Sequence, residues 1–153
     1  MTIDDPYELE RFLQAQERDA TFERALDELR RGQKTGHWMW FIFPQVAGLG
    51  RSATSRYYAI SSLAEARAYL AHPVLGPRLR AGAALLAARA TKKAPEILGG
   101  LDAQKLRSSM TLFLRAAPGE ALFQQVLDVH FAGETDAVTD ALLGYGSRAS
   151  APE

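Results

Sequence analysis

One aromatic stretch decides the fold of this chain: His37-Trp38-Met39-Trp40-Phe41-Ile42-Phe43-Pro44-Gln45. The stretch contains both tryptophans of the chain and two of its seven phenylalanines. Each large aromatic side chain hides about 150–250 Å² when it packs, so these residues carry far more buried area than their number suggests. The apolar positions neither alternate nor keep a helical period, which indicates burial on more than one side. We predict a short buried helix here, with other helices packed around it.

Helical signals extend from this stretch towards both termini. Before it, apolar spacing predicts a helix over residues 6–17, opened by Asp4-Asp5-Pro6, and a helix from Thr21 that ends at Gly32. After it, the same reasoning predicts helices over residues 52–60, 63–71, 75–90, 92–99, 102–117 and 120–131, with a last helix starting near residue 135. Predicted N-terminal caps are Asp102, Thr135, and Ser62 with Glu65 as a capping box.

No strand pair and no internal repeat is evident beside these helical signals. We therefore predict an all-α fold, a compact multihelical single domain over residues 1–143 that is packed around the aromatic stretch. Residues 144–153 are rich in Gly, Ser, Ala and Pro, and we predict a flexible C-terminal tail there.

Composition excludes several classes of function. The chain has 153 residues, with 18 basic and 18 acidic side chains, and this balance argues against a nucleic-acid or anionic-membrane partner. The absence of cysteine excludes disulfides, a thiol nucleophile and cysteine-based metal sites. The N-terminus lacks the pattern of a signal peptide, and no apolar run reaches the roughly 20 residues of a membrane helix. We expect a cytoplasmic protein.

Standard catalytic and cofactor motifs are absent. There is no Walker-type phosphate loop and no HExxH sequence, and the three histidines have no metal-ligand spacing, so we expect neither a metal nor a cofactor. His37 abuts the tryptophans, and histidine is the side chain that titrates near neutral pH. His37 is therefore the candidate general acid or base, and Glu10, on the first helix, is the candidate that assists it.

A polar cluster on the helix after residue 102 is the main candidate binding site. Lys105, Ser108 and Ser109 are three and four residues apart and share one helix face. Two adjacent serines are unfavourable inside a helix, because their hydroxyls compete with the backbone, so they indicate either close helix packing or a polar pocket wall. The second interpretation predicts an anion or nucleotide site, with His37 and Gln45 opposite.

A glycine-containing loop follows the aromatic stretch and supplies a second group of candidates. It presents Arg51, Ser52 and Tyr58, of which arginine offers a planar fork for phosphate or carboxylate. Tyr58, Trp38 and Trp40 are candidates for the stacking or apolar walls of the same pocket.

The motifs of this chain resemble a known family. Beside the aromatic stretch, the resemblance rests on Asp5-Pro6-Tyr7, Gly48-Leu49-Gly50, His72-Pro73 and the run from Ser108 to Phe113. The chain is similar, over about residues 4–143, to the domain of unknown function 1810 family of small bacterial proteins, which are sometimes labelled calpastatin. The resemblance implies a mainly helical fold but no assigned activity, and nothing in these residues supports the protease inhibitor that the label implies.

Two functions are compatible with these patterns. The first is the binding or processing of a nucleotide-like or other anionic small molecule in a pocket beside residues 37–45. A looser resemblance, to a helical family proposed to process ADP-ribose-like or N-riboside compounds, implies a ligand of the ADP-ribose or N-riboside type. The alternative is a non-enzymatic protein-interaction module, in which the aromatic residues are core, the polar groups satisfy helix ends, and the protein partner is unknown.

Overall fold

The computed structural model describes residues 4–145, and these form ten α-helices with no strand among them. The helices are α1 (Glu10–Glu17), α2 (Thr21–Arg31), α3 (Met39–Ile42), α4 (Ala53–Tyr57), α5 (Leu63–Ala71), α6 (Leu75–Ala87), α7 (Ala94–Leu98), α8 (Gly100–Ala116), α9 (Ala121–Phe131) and α10 (Ala137–Leu143). The all-α prediction is confirmed. The predicted tail, apart from Gly144 and Tyr145, lies outside the described residues.

The core forms around α8, α6 and the aromatic stretch. Helix α8 packs against α5, α7, α9 and α10, while α6 packs against α2, α5 and α9. The short helix α3 contacts α1, α6 and α8, so the aromatic stretch lies between the N-terminal and C-terminal helices. Trp38, Met39, Ile42 and Phe43 are all buried. The predicted short buried helix is therefore confirmed.

Local chemistry explains where most helices begin and end. Helix α2 ends at Gly32, which adopts the left-handed conformation, as its sequence predicts. Helix α1 begins four residues later than predicted, because Glu8 has a positive φ of 53° that a helix does not accept. The Asp5 carboxylate accepts hydrogen bonds from the amides of Leu9 and Glu10 at 2.8 and 3.0 Å, so this aspartate caps the later start.

Two predicted caps are wrong. Asp102 lies in the first turn of α8 rather than at its cap, because the helix begins at Gly100, and the Asp102 carboxylate instead binds lysines. Thr135 donates its hydroxyl to Asp140 at 2.7 Å, and the next residue, Asp136, caps α10 by accepting the amide of Thr139 at 2.9 Å. In both cases, another polar side chain binds the side chain that the local pattern assigns to a cap.

The predicted capping box of α5 is half formed. Ser62 accepts the amide of Glu65 at 3.1 Å, as predicted. The Glu65 carboxylate, however, accepts from the amide and hydroxyl of Ser61 and from Arg11, which lies on α1. Glu65 therefore ties α5 to α1 instead of closing the box.

Candidate functional site

A cavity of about 410 Å³ lies where the aromatic stretch meets the N-terminus of α8. We call it the lysine cavity. Its lining residues are Lys34, His37, Met39, Trp40, Leu98, Gly99, Gly100, Leu101, Asp102 and Lys105. The first four come from the aromatic stretch and the segment before it, and the others come from the end of α7 and the first turns of α8.

Three charged side chains form the polar wall of the lysine cavity. The Asp102 carboxylate accepts Lys34 Nζ at 2.7 Å on one oxygen and Lys105 Nζ at 3.1 Å on the other. Burial disfavours the ionised carboxyl, but the hydrogen bonds from the two lysines outweigh it and hold the pKa of Asp102 below its ordinary value. Two ammonium groups and one carboxylate leave a local excess of positive charge.

The two lysines are not equivalent. Lys34 is 8% exposed at its side chain, donates to the carbonyl of Gly36, and lies with Nζ 5.0 Å from the centre of the Trp38 ring. Lys105 is 27% exposed, and its Nζ lies 5.3 Å from the centre of the Trp40 ring. An ammonium group has three donors. Lys105, with its greater exposure, is therefore the better placed of the two to contact a ligand.

The N-terminus of α8 opens into the same cavity without a side-chain cap. Gly99 occupies the cap position with a φ of 88°, and glycine has no side chain that accepts the first helical amides. The first amide of α8 to bond within the helix is that of Ala103, which donates to Gly99, so the preceding amides face outward. A Cβ added at Gly100 meets no atom within 4 Å, so the space beside these amides is open. Such a helix end attracts anions.

A buried carboxylate holds the loop that carries Lys34 and His37. Glu28, on α2, accepts the amides of Thr35 and Gly36 at 2.8 and 3.0 Å and the indole N–H of Trp38 at 2.9 Å. The Thr35 hydroxyl donates a fourth hydrogen bond at 3.0 Å. Burial raises the pKa of Glu28, but these hydrogen bonds stabilise the charge more strongly and lower it from 4.5 to about 2. The segment that contributes Lys34 and His37 to the lysine cavity is thus held by an ionised side chain.

A second cavity, of about 420 Å³, lies further along α8. We call it the glutamine cavity. Its lining residues are Gln45, Leu49, Gly50, Ser55, Leu101, Gln104, Lys105, Ser108, Asp136 and Val138. It shares Leu101 and Lys105 with the lysine cavity, so the two are neighbours along one helix face.

The two polar clusters that the sequence singles out meet in space at these cavities. His37, Trp40 and Lys105 line the lysine cavity. Gln45 and Ser108 line the glutamine cavity, together with Lys105. Tyr58 lines a small adjoining void of about 10 Å³ with Trp40 and Gln45, and burial raises the pKa of its hydroxyl.

Other predicted binding residues lie away from the cavities. Trp38 is 2% exposed and donates its indole N–H to Glu28, so it is a core residue rather than a pocket wall. Ser109 is fully buried within the core, and its hydroxyl has no partner among the described residues. For Ser109, the packing interpretation of the adjacent serines therefore holds. Arg51 and Ser52 are exposed and line neither cavity, and the Ser52 hydroxyl caps α4 by accepting from Ser55.

The two predicted catalytic residues are not neighbours in a cavity. His37 is exposed at the lysine cavity. Glu10 is exposed beside a different cavity, of about 540 Å³, which the N-terminal segment forms with His72. Glu10 lines neither the lysine cavity nor any other cavity that His37 lines. The assisting role of Glu10 therefore has no support from its position.

A family model described as "Protein of unknown function (DUF1810)" matches residues 6–143. The chain belongs to the DUF1810 family. The conserved hypothetical protein Rv1873 from Mycobacterium tuberculosis, known from a crystal structure, is 46% identical to this DUF1810 chain, with a TM-score of 0.88. The match covers 91% of this chain and 98% of that one. No curated protein matches the chain.

The described part of this DUF1810 member has neither a metal-binding cluster nor a membrane-spanning helix. Within residues 4–145, no group of three or more His, Asp or Glu side chains is placed to hold a metal ion. None of the helices in the same residues combines the length and the apolar character that a bilayer crossing needs.

The sequence patterns missed or misassigned four residues that line the cavities of this DUF1810 member: Lys34, Asp102, Gln104 and Asp136. Asp102 and Lys105 are three residues apart, and this acid–base spacing on a helix was a usable signal for their ion pair. Gln104 lies on the same face as Ser108 and could have been included with it. Lys34 had no such local signal, because its partner Asp102 comes from α8. Asp136 had a local signal as the cap of α10, but the pattern selected the preceding residue, Thr135.

Proposed function

We propose that this DUF1810 protein binds an anionic small molecule in the lysine cavity. The observation that carries the proposal is the convergence of the Lys105 ammonium group and the uncapped N-terminus of α8 on one open cavity. Both groups attract negative charge, and the Trp40 ring forms a wall beside them. A cavity of about 410 Å³ is within the usual range for small-molecule sites.

The charge balance of the site supports an anion rather than a cation. Asp102 is the acid of the lysine cavity, and both of its oxygens already accept hydrogen bonds from lysines. A cation would have to compete with Lys34 and Lys105 for the Asp102 carboxylate. An anion, by contrast, would accept hydrogen bonds from lysines that have more donors than Asp102 can accept. Lys34 and Asp102 would then orient Lys105, and Lys105 would contact the ligand.

If the ligand is processed as well as bound, His37 is the acid–base residue of the proposal. It is exposed at the rim of the lysine cavity, where its ring can reach a bound group and exchange protons with water. Neither the DUF1810 family nor the structural neighbour has an assigned activity in its name, so processing of an N-riboside rests on this residue alone.

Ligand-dependent unfolding of two lysine variants tests the proposal. The unfolding midpoint is measured with inorganic phosphate, pyrophosphate, nucleotides and dicarboxylates. A ligand at a hundredfold excess over its dissociation constant stabilises the native state by about 2.7 kcal/mol, which is a clear rise of the midpoint. We expect Lys105→Ala to abolish the rise. The matched control, Lys92→Ala, removes the same charge from a lysine that lines neither cavity and should keep it.

Two results would contradict the proposal. One is a wild-type midpoint that no anion of the panel raises. The other is a rise that Lys92→Ala removes as completely as Lys105→Ala, because this would indicate general charge screening rather than a site.

A second candidate function, protein interaction, is supported by the exposed apolar rim of the two cavities. Leu101 is 83% exposed and Val138 is 57% exposed, and both line the glutamine cavity, so exposed apolar surface is concentrated there. This alternative predicts that no anion raises the midpoint and that the chain self-associates above its mass of 16.8 kDa. Sedimentation velocity of wild type and Leu101→Asp measures this. A monomeric wild type speaks against the self-associating form of this alternative.

A further inference from the structure

We infer that the ligand of this site is a ribonucleotide, with its phosphate in the lysine cavity and its nucleoside in the glutamine cavity. The inference rests on the proposed function, since it takes the lysine cavity as an anion site. It goes further by assigning the second cavity to the uncharged part of the same ligand.

The two cavities are placed to hold two parts of one molecule. Both are lined by Leu101 and Lys105, so the two cavities border the same two side chains of α8. Along the same helix, Asp102 lines the first cavity and Ser108 lines the second. One helical turn rises about 5.4 Å, so the polar groups of the two cavities are one to two turns apart. This separation suits adjoining groups of one small molecule.

The lining of the glutamine cavity suits a neutral ring with hydroxyl groups. Leu49, Leu101 and Val138 provide apolar surface for the faces of a ring. The amide side chains of Gln45 and Gln104 offer both donors and acceptors to its edge. A nucleoside combines these requirements, because its base has apolar faces and a polar edge and its ribose carries hydroxyl groups.

The Asp136 carboxylate indicates which end of the ligand lies in which cavity. One carboxylate oxygen accepts the hydroxyl and amide of Thr139 at 2.6 and 2.9 Å and lies 3.3 Å from the Ser108 hydroxyl. The other accepts Gln104 Nε2 at 2.7 Å and, as a carboxylate oxygen, can accept one more donor. No cation pairs with Asp136 among the residues that the structure describes. This charge repels a phosphate and favours a ribose hydroxyl, so the phosphate belongs at the lysine end.

Affinity measurements with parts of the ligand test the inference. Dissociation constants are measured by calorimetry for inorganic phosphate, for the four ribonucleoside 5′-monophosphates and for the four nucleosides. We expect at least one nucleotide to bind at least tenfold more tightly than phosphate. In Gln104→Ala this gain should disappear while phosphate affinity stays within twofold of wild type. In Lys105→Ala both phosphate and nucleotide should lose at least tenfold.

A matched glutamine variant controls the experiment, and the outcomes separate the two proposals. Gln14→Ala changes an exposed glutamine of α1 that lines neither cavity and should bind like wild type. If phosphate binds but no nucleotide binds more tightly, the ribonucleotide inference is overturned and the anion site stands. It is also overturned if Gln104→Ala weakens phosphate and nucleotide equally. If neither phosphate nor any nucleotide binds, both the inference and the proposed function fail.

Discussion

Glu28→Gln is the substitution for which the structure allows the most definite prediction. Glu28 is 7% exposed, and its carboxylate accepts hydrogen bonds from Thr35, Gly36 and Trp38 in the segment that carries Lys34 and His37. Glutamine has nearly the same shape but carries no charge. It also places an NH₂ donor where one carboxylate oxygen accepts, and this donor faces other donors.

The size of the effect follows from the pKa of Glu28. Stabilisation of the ionised form lowers this pKa from 4.5 to about 2. Each pKa unit corresponds to about 1.36 kcal/mol, so the folded protein gains about 3 kcal/mol from the charge at neutral pH. Because domains of this kind are stable by only about 5–15 kcal/mol, we expect Glu28→Gln to lose a large share of the free energy of unfolding.

The pH dependence gives the sign of the effect. The folded-state pKa is depressed, so the stabilisation is fully present above the ordinary pKa of 4.5 and is lost as the pH falls towards 2. Urea unfolding of wild type and Glu28→Gln between pH 2.5 and 7 measures it. The difference in free energy of unfolding should be constant near neutrality and shrink progressively below about pH 4.5.

A neighbouring acidic residue on the same helix provides the control. Asp27 is exposed and forms a surface ion pair with Arg31 at 3.3 Å, so Asp27→Asn should change stability by less than about 1 kcal/mol. A Glu28→Gln protein that loses less than about 1 kcal/mol at pH 7, or whose loss does not change with pH, would refute the reasoning. Glu28 would then not be the ionised anchor of the loop.

Three further predictions follow from the packing of the core. Gly76→Ala should be destabilised by about 1–3 kcal/mol in urea unfolding, because the new Cβ would clash with the backbone oxygen of Leu70. Gly100→Ala, whose Cβ meets no atom within 4 Å, should stay within about 0.5 kcal/mol of wild type. Trp38→Phe should lose about 1.5–3 kcal/mol, since it deletes one donor to a buried carboxylate, and a smaller loss would mean that water replaces the indole. Burial lowers the pKa of His130 below 6.5, so the stabilisation from the neutral imidazole is present above pH 6.5 and is lost as the pH falls. His130→Gln should therefore flatten the change in unfolding midpoint between pH 7 and 5. An unchanged slope in this variant would contradict the prediction.

Much of the helical fold was predictable because helix signals act over a few residues. The hydroxyl of Ser62 caps an amide three residues later, and Gly32 ends α2 through its own backbone conformation. The aromatic stretch was recognisable as a buried segment for a similar reason. Its composition alone makes exposure to water unfavourable, whatever the arrangement of its neighbours.

The candidate site was predictable only in part. The face of α8 that carries Lys105 and Ser108 follows from helical spacing, and both side chains line cavities. The same spacing also selected Ser109, but this residue points into the core. Adjacent residues on a helix differ by about 100° in direction, so Ser108 lines a cavity while Ser109 is buried. The boundary between the buried and the exposed residues of α8 depends on which neighbouring helices cover it. Residue spacing alone does not give that boundary.

The sequence by itself determined that this chain is helical, where most of its helices lie, and that the aromatic stretch is buried, because these properties depend on composition and on contacts between nearby residues. The tertiary structure decided which polar groups meet. Glu28 became an anchor because the loop after α2 folds back over it, and Lys34 became a wall of the lysine cavity because α8 brings Asp102 against it. Such contacts join residues from separate helices, so only the packing of those helices creates them.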